Sequence, residues 1–272
     1  MITLFRMLAV LPLSLLHVIG ATLGWVAFLA SPTYRRRFLA NARQAGYRFA
    51  EVRGAVAAAG RLIAEVPRLW FGTAPAVRWS GDHVIEEALQ RGRGIVFLTP
   101  HLGCFEVAAQ SYADRFGPIT VLYRPARKAW LRPMVDQARA RRNLATAPTT
   151  LAGVKQMLKA LQSGQAVGLL PDQVPPQGLG VWAPFFGKPA YTMTLSARLA
   201  RQTGAQVVLV WSERLSWGRG FCVHVRPWTG DLPAAPEPAA LQVNAGMEAL
   251  IRECPAQYLW GYARYKTPRG TA

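Results

Sequence analysis

The sequence predicts an α/β protein, with a mixed, mostly parallel sheet flanked by helices and an N-terminal helix that anchors the chain to a membrane. Two features carry this prediction. After residue 79, short apolar runs alternate with helix-like segments, which is typical of strands joined by crossover helices. Before residue 32 the chain is almost entirely apolar. We therefore divide the 272 residues into a membrane anchor, 1–32, and a single α/β domain, 33–272.

The anchor contains a long run without formal charge. The 24 residues from Met7 to Ala30 are uncharged, and three arginines follow at 35–37. One straight helix of this length would measure about 36 Å, enough for a hydrocarbon core of about 30 Å. Because the positive charges follow the run, the rest of the chain is expected on the cytoplasmic side of the inner membrane. A shallow insertion and a buried core helix are the alternatives.

Residues 33–72 are predicted to be an amphipathic, basic helical region. Apolar residues recur at steps of three and four, and arginines lie between them. The arginines of this region are Arg43, Arg48, Arg53, Arg61 and Arg68. Next to a membrane anchor, such a stretch suits anionic inner-membrane lipids, and an ordinary solvated helix face is the alternative.

The expected elements of the domain follow from the apolar runs. The expected strands are 95–98, 119–123, 166–170, 206–211 and 221–225. The expected helices are 82–91, 103–115, 128–142, 150–162, one after residue 191 and a last one after residue 238. A Pro- and Gly-rich loop is expected over 171–191.

Composition excludes several classes of protein. Hydrophobic residues make up 51% and charged residues 17%, which excludes a disordered or coiled-coil chain. The net charge of +18 favours an anionic partner: nucleic acid, lipid or an acidic protein. A membrane-tethered nucleic-acid-binding protein finds no further support, because no helix-turn-helix or RNP motif is present and the aromatic residues are not interleaved with basic ones. We expect no nucleic-acid partner.

Cysteine and histidine are too few and too scattered for a disulfide scaffold or a metal site. Three cysteines occur without a CxxC spacing, and only four histidines are present. A G-x-G-x-x-A match at 178–183 runs into Pro184, so no helix can follow it to bind a dinucleotide phosphate. The sequence therefore predicts neither a metal nor a cofactor.

The segment after strand 95–98 is the candidate active site. His101 is expected at the carboxyl edge of the sheet, where sites of α/β proteins form. Within one helix His101 and Glu106 would point about 140° apart, so they can meet only if His101 precedes the helix and Glu106 lies in its first turns. Pro100 and Gly103 favour that break. The carboxylate would then orient one imidazole nitrogen and leave the other as a general base, and a structural histidine is the alternative.

These residues also carry a resemblance to a known family. His101 and Glu106 resemble the H-x4-D/E motif of the glycerolipid acyltransferase superfamily. Three further blocks read V-L-Y-R-P at 121–125, L-P-D-Q at 170–173 with V-W-A-P-F-F-G-K-P-A-Y-T at 181–192, and C-P-A-Q-Y-L-W at 254–260 with R-Y-K at 264–266. Together they resemble the late acyltransferases of lipid A biosynthesis, the lauroyl and myristoyl acyltransferase family, over nearly the whole chain. Cys104 and Phe105 stand where that family often has Asn and Trp, which leaves the acceptor open.

The resemblance implies transfer of a fatty acyl chain from an acyl thioester, carried by acyl carrier protein, to a hydroxyl of a membrane glycolipid such as a lipid A precursor. It makes His101 the general base and Glu106 the residue that orients it. A lysophospholipid, an ornithine or amino-acid lipid or a phosphoglycolipid also fits as acceptor, and acyl-CoA as donor. A non-catalytic scaffold is the alternative outside the enzymes.

Four more residues are candidates for substrate binding. Arg124 would hold an acceptor phosphate or the developing oxyanion, because a guanidinium suits phosphate. Arg139 and Arg142 belong to a basic cluster that suits phosphates or the acidic carrier protein, and a solvated helix face fits them equally well. Asp172 would orient an arginine or the acceptor, or cap its loop. The aromatic residues of 181–192 would line an acyl groove or pack in the core.

Overall fold

The computed structural model describes residues 2–123, 141–268 and 270, and its N-terminal part is helical. The helices there are α1 (Ile2–Ala9), α2 (Leu13–Ala30), α3 (Pro32–Gln44), α4 (Phe49–Val52) and α5 (Gly54–Phe71). The uncharged run thus forms two helices rather than one. Pro12 separates them, because proline has no N–H group and restricts the residue before it. Among the helices of the described residues, only α2 is long and apolar enough to cross a bilayer.

Helix α2 is docked along α5 in the opposite direction, and the two backbones approach closely at glycines. A Cβ atom on Gly60 would lie 1.9 Å from the carbonyl oxygen of Gly20, and one on Gly24 would lie 2.3 Å from that of Val56. Only glycine permits such an approach. The predicted anchor is therefore packed against the domain along its length.

The other face of α2 is apolar and exposed. The exposed large side chains of α2 are Leu15, Val18, Ile19, Leu23, Val26 and Leu29. Its buried residues, which include His17 and Phe28, lie on the docked face. One helix thus combines a face typical of a core with a face typical of a membrane surface.

The basic region 33–72 is divided among α3, α4 and α5, and its arginines do not form one stripe. Arg61 Nε donates to the carbonyl oxygen of His17 at 3.3 Å, and Arg68 Nη1 donates to that of Ala9 at 3.1 Å. These two arginines therefore bind the N-terminal helices, whereas Arg43, Arg48 and Arg53 are exposed.

The described residues form a seven-stranded sheet in the order β1-β9-β8-β2-β5-β3-β4. Its strands are β1 (Val77–Ser80), β2 (Ile95–Leu98), β3 (Ile119–Tyr123), β4 (Leu144–Pro148), β5 (Ala166–Leu169), β8 (Gln206–Arg214) and β9 (Phe221–Pro227). All neighbouring strands are parallel except β8 and β9. The expectation of a mixed, mostly parallel sheet is confirmed.

Helices cover both faces of this sheet, as a parallel sheet requires. They are α6 (His83–Gln90), α7 (Phe105–Arg115), α8 (Leu151–Gln162), α9 (Leu195–Thr203) and α10 (Pro236–Glu253). The central strands β2 and β5 are buried at every position. Their carboxyl ends therefore form a rigid edge on which a site can be built.

The structure differs from the expected elements mainly in one segment. The loop expected over 171–191 contains a hairpin of β6 (Gly180–Phe185) and β7 (Lys188–Met193). Pro184 and Pro189 face each other in it, and prolines are tolerated because no third strand among the described residues pairs with this two-stranded sheet. Strands β1 and β4 were also not expected. Of the helix expected over 128–142, residues 128–140 lie outside the described part of the chain.

Candidate active site

His101 lies in the turn between β2 and α7, and this turn is held from both sides. The N–H group of Gly103 donates to the carbonyl oxygen of Gln257 at 3.1 Å, and that of Cys104 donates to the carbonyl oxygen of Ser212 at 2.9 Å. Gly103 has a φ of +61°, and a Cβ atom there would lie 1.8 Å from the carbonyl oxygen of Ser212. The turn can take this course only because residue 103 is glycine.

Asp172, three residues after the end of β5, orients the imidazole of His101. Its Oδ1 lies 2.7 Å from Nδ1 of His101, and its Oδ2 accepts the backbone N–H of His101 at 2.9 Å. Burial by itself would raise the pKa of the Asp172 carboxyl. The charge of His101, its two hydrogen bonds and the charge of Arg264 outweigh burial and lower that pKa below its ordinary value. The ionised carboxylate can only accept, so Nδ1 carries a proton, and in the neutral form of the ring Nε2 keeps its lone pair.

The side chain of Gln173 contacts Nε2 of His101, the ring nitrogen that Asp172 does not bind. Its side-chain Nε2 lies 2.9 Å from Nε2 of His101. Since the imidazole Nε2 has a lone pair, the amide donates to it. The ring of Phe105 lies edge-on to His101, with centroids 5.1 Å apart. The basic nitrogen of His101 is therefore covered by a neutral, rotatable side chain.

The charge of a buried arginine, Arg264, helps to stabilise the carboxylate of Asp172. Arg264 is 2% exposed. It donates to the carbonyl oxygen of Tyr191 at 2.7 Å and to Oγ1 of Thr192 at 2.7 Å. In the sequence Arg264 begins the R-Y-K block at 264–266, for which no role was predicted. Its role follows from the β6–β7 hairpin, which brings Tyr191 and Thr192 to the guanidinium.

A second buried ion pair ties the active-site turn to the N-terminal helices. The guanidinium of Arg214, on β8, binds the carboxylate of Glu65, on α5, and its Nη2 also donates to the carbonyl oxygen of Gly103 at 3.4 Å. Nε2 of His17, on α2, lies 2.6 Å from the same carboxylate. Burial would raise the pKa of Glu65, but the charge and hydrogen bonds of Arg214 and His17 lower it.

Glu106 is the second residue of α7, and His101 precedes that helix, as the spacing predicted. Both residues line the same cavity. Nδ1 of His101 is bound by Asp172, for which the sequence suggested other roles. A catalytic role of Glu106 stays a prediction.

Two cavities meet at His101. The larger has a volume of about 600 Å³, a size typical of small-molecule sites. Its apolar wall comes from β2, α7, β3 and β5, and includes Phe97, Ala109, Tyr112, Ile119, Val121 and Leu169. The smaller has about 160 Å³ and extends to Tyr34 on α3 and Ala59 on α5. His101 and Gln173 line both.

Of the other expected site residues, those that the structure describes lie away from His101. Arg124 and Arg139 lie outside the described residues. Arg142 is exposed and just precedes β4, so it lies at the edge of the sheet opposite to His101. Phe185 and Phe186 are buried in the core and line neither cavity.

The next question is whether a cysteine or a metal-binding group belongs to the site. Cys104 is fully buried, and burial raises the pKa of its thiol well above the ordinary value, which suits a side chain that packs in the core. Within the described residues, no group of three or more His, Cys, Asp and Glu side chains could hold a metal ion.

Comparison with known proteins gives one consistent family. A family model for bacterial lipid A biosynthesis acyltransferases matches residues 1–267. The lipid A biosynthesis lauroyltransferase of Escherichia coli (strain K12) is 29% identical over 220 residues, covering 78% of this chain and 70% of the relative. The palmitoleoyltransferase of the same organism is 26% identical over 213 residues, covering 76% and 69%. A lipid A biosynthesis acyltransferase of Haemophilus influenzae is 23% identical over 219 residues, covering 74% and 66%.

Proposed function

The chain belongs to the family of bacterial lipid A biosynthesis acyltransferases, and from that premise we propose that it transfers a fatty acyl chain from acyl carrier protein to a hydroxyl of a lipid A precursor. The observation that carries the proposal is the 2.7 Å contact of Asp172 with Nδ1 of His101 beside a largely apolar cavity of about 600 Å³. A base with a fixed tautomer and a pocket for an acyl chain are the two requirements of this reaction.

His101 acts as the general base. Its Nε2 accepts the proton of the acceptor hydroxyl while that oxygen attacks the thioester carbonyl carbon. The new C–O bond forms, the C–S bond breaks, and the imidazolium returns the proton to the departing thiolate. General-base assistance of this kind contributes about 10²–10⁴-fold to a rate. No metal or cofactor is needed for these steps.

Two acidic side chains support the imidazolium. Asp172 holds the tautomer and balances the charge that forms on the ring. Glu106, which lines the same cavity, supplies further negative charge near the ring. The amino terminus of α7 follows His101 and favours the negative charge that develops on the thioester oxygen.

The arginines are proposed to bind the charged parts of the substrates. Arg124 holds a phosphate of the acceptor or the developing oxyanion. Arg139 and Arg142 attract the acidic carrier protein, Arg142 from the exposed position before β4. An acyl-CoA donor, or a lysophospholipid, ornithine lipid, amino-acid lipid or phosphoglycolipid acceptor, is the alternative within the same chemistry.

Membrane attachment is proposed to be lateral rather than spanning. Helix α2 is docked on α5, which carries the charged residues Arg61, Glu65 and Arg68, so α2 cannot cross a bilayer without drawing these charges into it. Its exposed apolar face can instead lie in the interfacial plane of the cytoplasmic leaflet.

Trp217 extends this surface. It is 89% exposed, at the tip of the β8–β9 hairpin, and the neighbouring Gly218 packs against the backbone of Ser14 at the start of α2. Tryptophan prefers the membrane interface, and Arg219, two residues later, suits anionic headgroups. We assign both to the proposed contact with anionic inner-membrane lipids.

Mass spectrometry of membrane lipids tests the activity. Cells lacking the protein, cells with the wild type and cells with His101→Ala at equal abundance are compared. A lipid A species that gains one acyl mass only with the wild type supports the proposal. The same gain with His101→Ala contradicts the general-base mechanism. No gain in any lipid, followed by no transfer with purified donor and acceptor, would favour the scaffold alternative.

The donor is tested with purified protein. Transfer from lauroyl-loaded acyl carrier protein is compared with transfer from lauroyl-CoA at equal concentrations. We expect the carrier protein to be preferred because the net charge of +18 favours an acidic partner. Equal or better use of the CoA thioester would contradict this choice of donor.

A further inference from the structure

We infer that the smaller cavity binds the hydroxyl-bearing part of the acceptor lipid. In the absence of the acceptor, the Gln173 amide makes the hydrogen bond to Nε2 of His101 that the acceptor hydroxyl makes when it binds. The inference rests on the proposed acyl transfer. It goes beyond that proposal because it assigns the acyl chain to the larger cavity and the acceptor to the smaller one, and because it gives Gln173 a role at His101.

The chemistry requires two groups beside one nitrogen. The hydroxyl must lie within hydrogen-bond distance of Nε2 of His101, and the thioester carbon must lie next to that hydroxyl. In the structure the side-chain amide of Gln173 stands in the first of these positions, 2.9 Å from Nε2. A hydroxyl that reaches Nε2 must therefore displace the amide.

Both cavities are mainly apolar, and they differ in size and in position. The larger is mainly apolar and is enclosed by the sheet and α7, which suits an acyl chain. The smaller reaches Tyr34 on α3 and Ala59 on α5, within the helical layer on which α2 is docked. A lipid held by the surface of α2 approaches His101 from that layer.

Only the side chain of Gln173 has to move. The preceding Asp172 is 2% exposed and held by His101, and the N–H group of Val174 donates to the hydroxyl of Tyr262 at 3.0 Å. The backbone on both sides of Gln173 is thus fixed. Its side chain can turn about its own bonds and uncover Nε2 without a change in the loop.

Two matched substitutions test the assignment of the cavities. Ala59→Leu narrows the smaller cavity and Ala109→Leu the larger. With lauroyl-loaded acyl carrier protein and a purified lipid A precursor, Ala59→Leu should raise the KM for the lipid about tenfold or more and leave the KM for the thioester unchanged. Ala109→Leu should do the reverse. Exposed Ala50→Leu, which lines neither cavity, is the control.

A rise in the thioester KM alone for Ala59→Leu would overturn the assignment. If Ala59→Leu does not fold, the smaller Ala59→Val takes its place under the same criteria. A wild type that transfers nothing to any lipid would refute the proposed function instead, so the two failures are distinguishable.

Two variants of Gln173 test its role. Gln173→Ala should let water reach Nε2, so that hydrolysis of the thioester in the absence of acceptor rises severalfold over the wild type. Gln173→Met fills a similar volume without a donor and should keep hydrolysis low. Unchanged hydrolysis in Gln173→Ala would show that the amide does not shield Nε2 of His101 from water. An equal rise of hydrolysis in both variants would contradict the inference as well.

Discussion

Asp172 binds His101 through two atoms at once, the imidazole Nδ1 at 2.7 Å and the backbone N–H at 2.9 Å. The two bonds link the carboxyl end of β5 to the turn that follows β2. Because one carboxylate holds both the ring and the backbone of His101, the direction of Nε2 is defined before any substrate binds.

Asp172→Asn tests this relationship. The amide keeps the shape but removes the charge that stabilises the imidazolium. We expect kcat to fall by about 10²–10⁴-fold with little change in KM for the thioester, measured by steady-state kinetics. The double variant with His101→Ala should be no slower than His101→Ala alone. An additive loss would mean that Asp172 acts through something other than His101.

Gly103→Ala should unfold the active-site turn locally. The Cβ atom would lie 1.8 Å from the carbonyl oxygen of Ser212, and φ is +61°. We expect transfer activity to be lost and the melting temperature to fall. Gly92→Ala is the matched control, since Gly92 has a φ of +66° with nothing within 4 Å of the added atom. If both variants lose activity and stability to the same extent, the loss comes from the positive φ alone, and the close approach to Ser212 is unimportant.

Glu65→Gln should destabilise the protein in a pH-dependent way. At neutral pH it leaves the buried charge of Arg214 uncompensated, which costs about 3–5 kcal/mol in comparable buried pairs. The folded pKa of Glu65 is lowered. Its stabilising contribution is therefore complete above the ordinary value of about 4.3 and is lost as the pH falls through the lower folded value.

Urea unfolding in detergent micelles, followed from neutral to acidic pH, measures this difference. The gap in unfolding free energy between wild type and Glu65→Gln should shrink below about pH 4. Glu51→Gln, on the exposed surface of α4, is the control and should show no comparable loss. A gap that is constant with pH would refute the charge-based explanation.

The two faces of α2 should respond differently to substitution. Leu23→Glu with Val26→Glu places charge on the exposed face, and we expect weaker binding to vesicles of anionic lipid with unchanged folding. Gly24→Leu forces α2 away from Val56 and should lower the melting temperature. Vesicle co-sedimentation and thermal unfolding measure the two effects. Loss of folding in the double glutamate variant would mean that this face is covered by protein rather than lipid.

Trp217→Ala should also weaken vesicle binding. Its side chain is 89% exposed beside α2, whereas Trp182, 49% exposed, belongs to the β6–β7 hairpin. Trp182→Ala is therefore the matched control, and the intrinsic fluorescence of each variant shows which tryptophan enters the lipid. A blue shift that persists in Trp217→Ala and disappears in Trp182→Ala would contradict the proposed orientation.

Sequence patterns located His101 well because its position follows from local rules. An apolar run predicted β2, and Pro100 with Gly103 predicted the break before α7. The partner of His101 could not be found in this way. Glu106 is near in sequence, whereas Asp172 is 71 residues away and reaches His101 only because β2 and β5 pair in parallel register.

The hairpin of β6 and β7 escaped prediction for a related reason. Prolines at 184 and 189 are typical of a loop. They are accommodated because they face each other in a pair of strands that, in the part of the chain the structure describes, pairs with no third strand. The hairpin in turn presents Tyr191 and Thr192 to Arg264, which helps to keep Asp172 ionised.

Four features can be deduced from the amino-acid sequence alone, because each depends on neighbouring residues or on ordered motifs: the α/β class, the position of His101 at a strand end, the apolar character of α2 and the family resemblance. Three others appear only in the folded chain: the contacts of Asp172 and Gln173 with the two ring nitrogens, the two cavities that share His101, and the docking of α2 along α5. These depend on strand order and on the close approach of distant backbones, and residues far apart in the chain come together only when the whole sheet and its helical layers are formed.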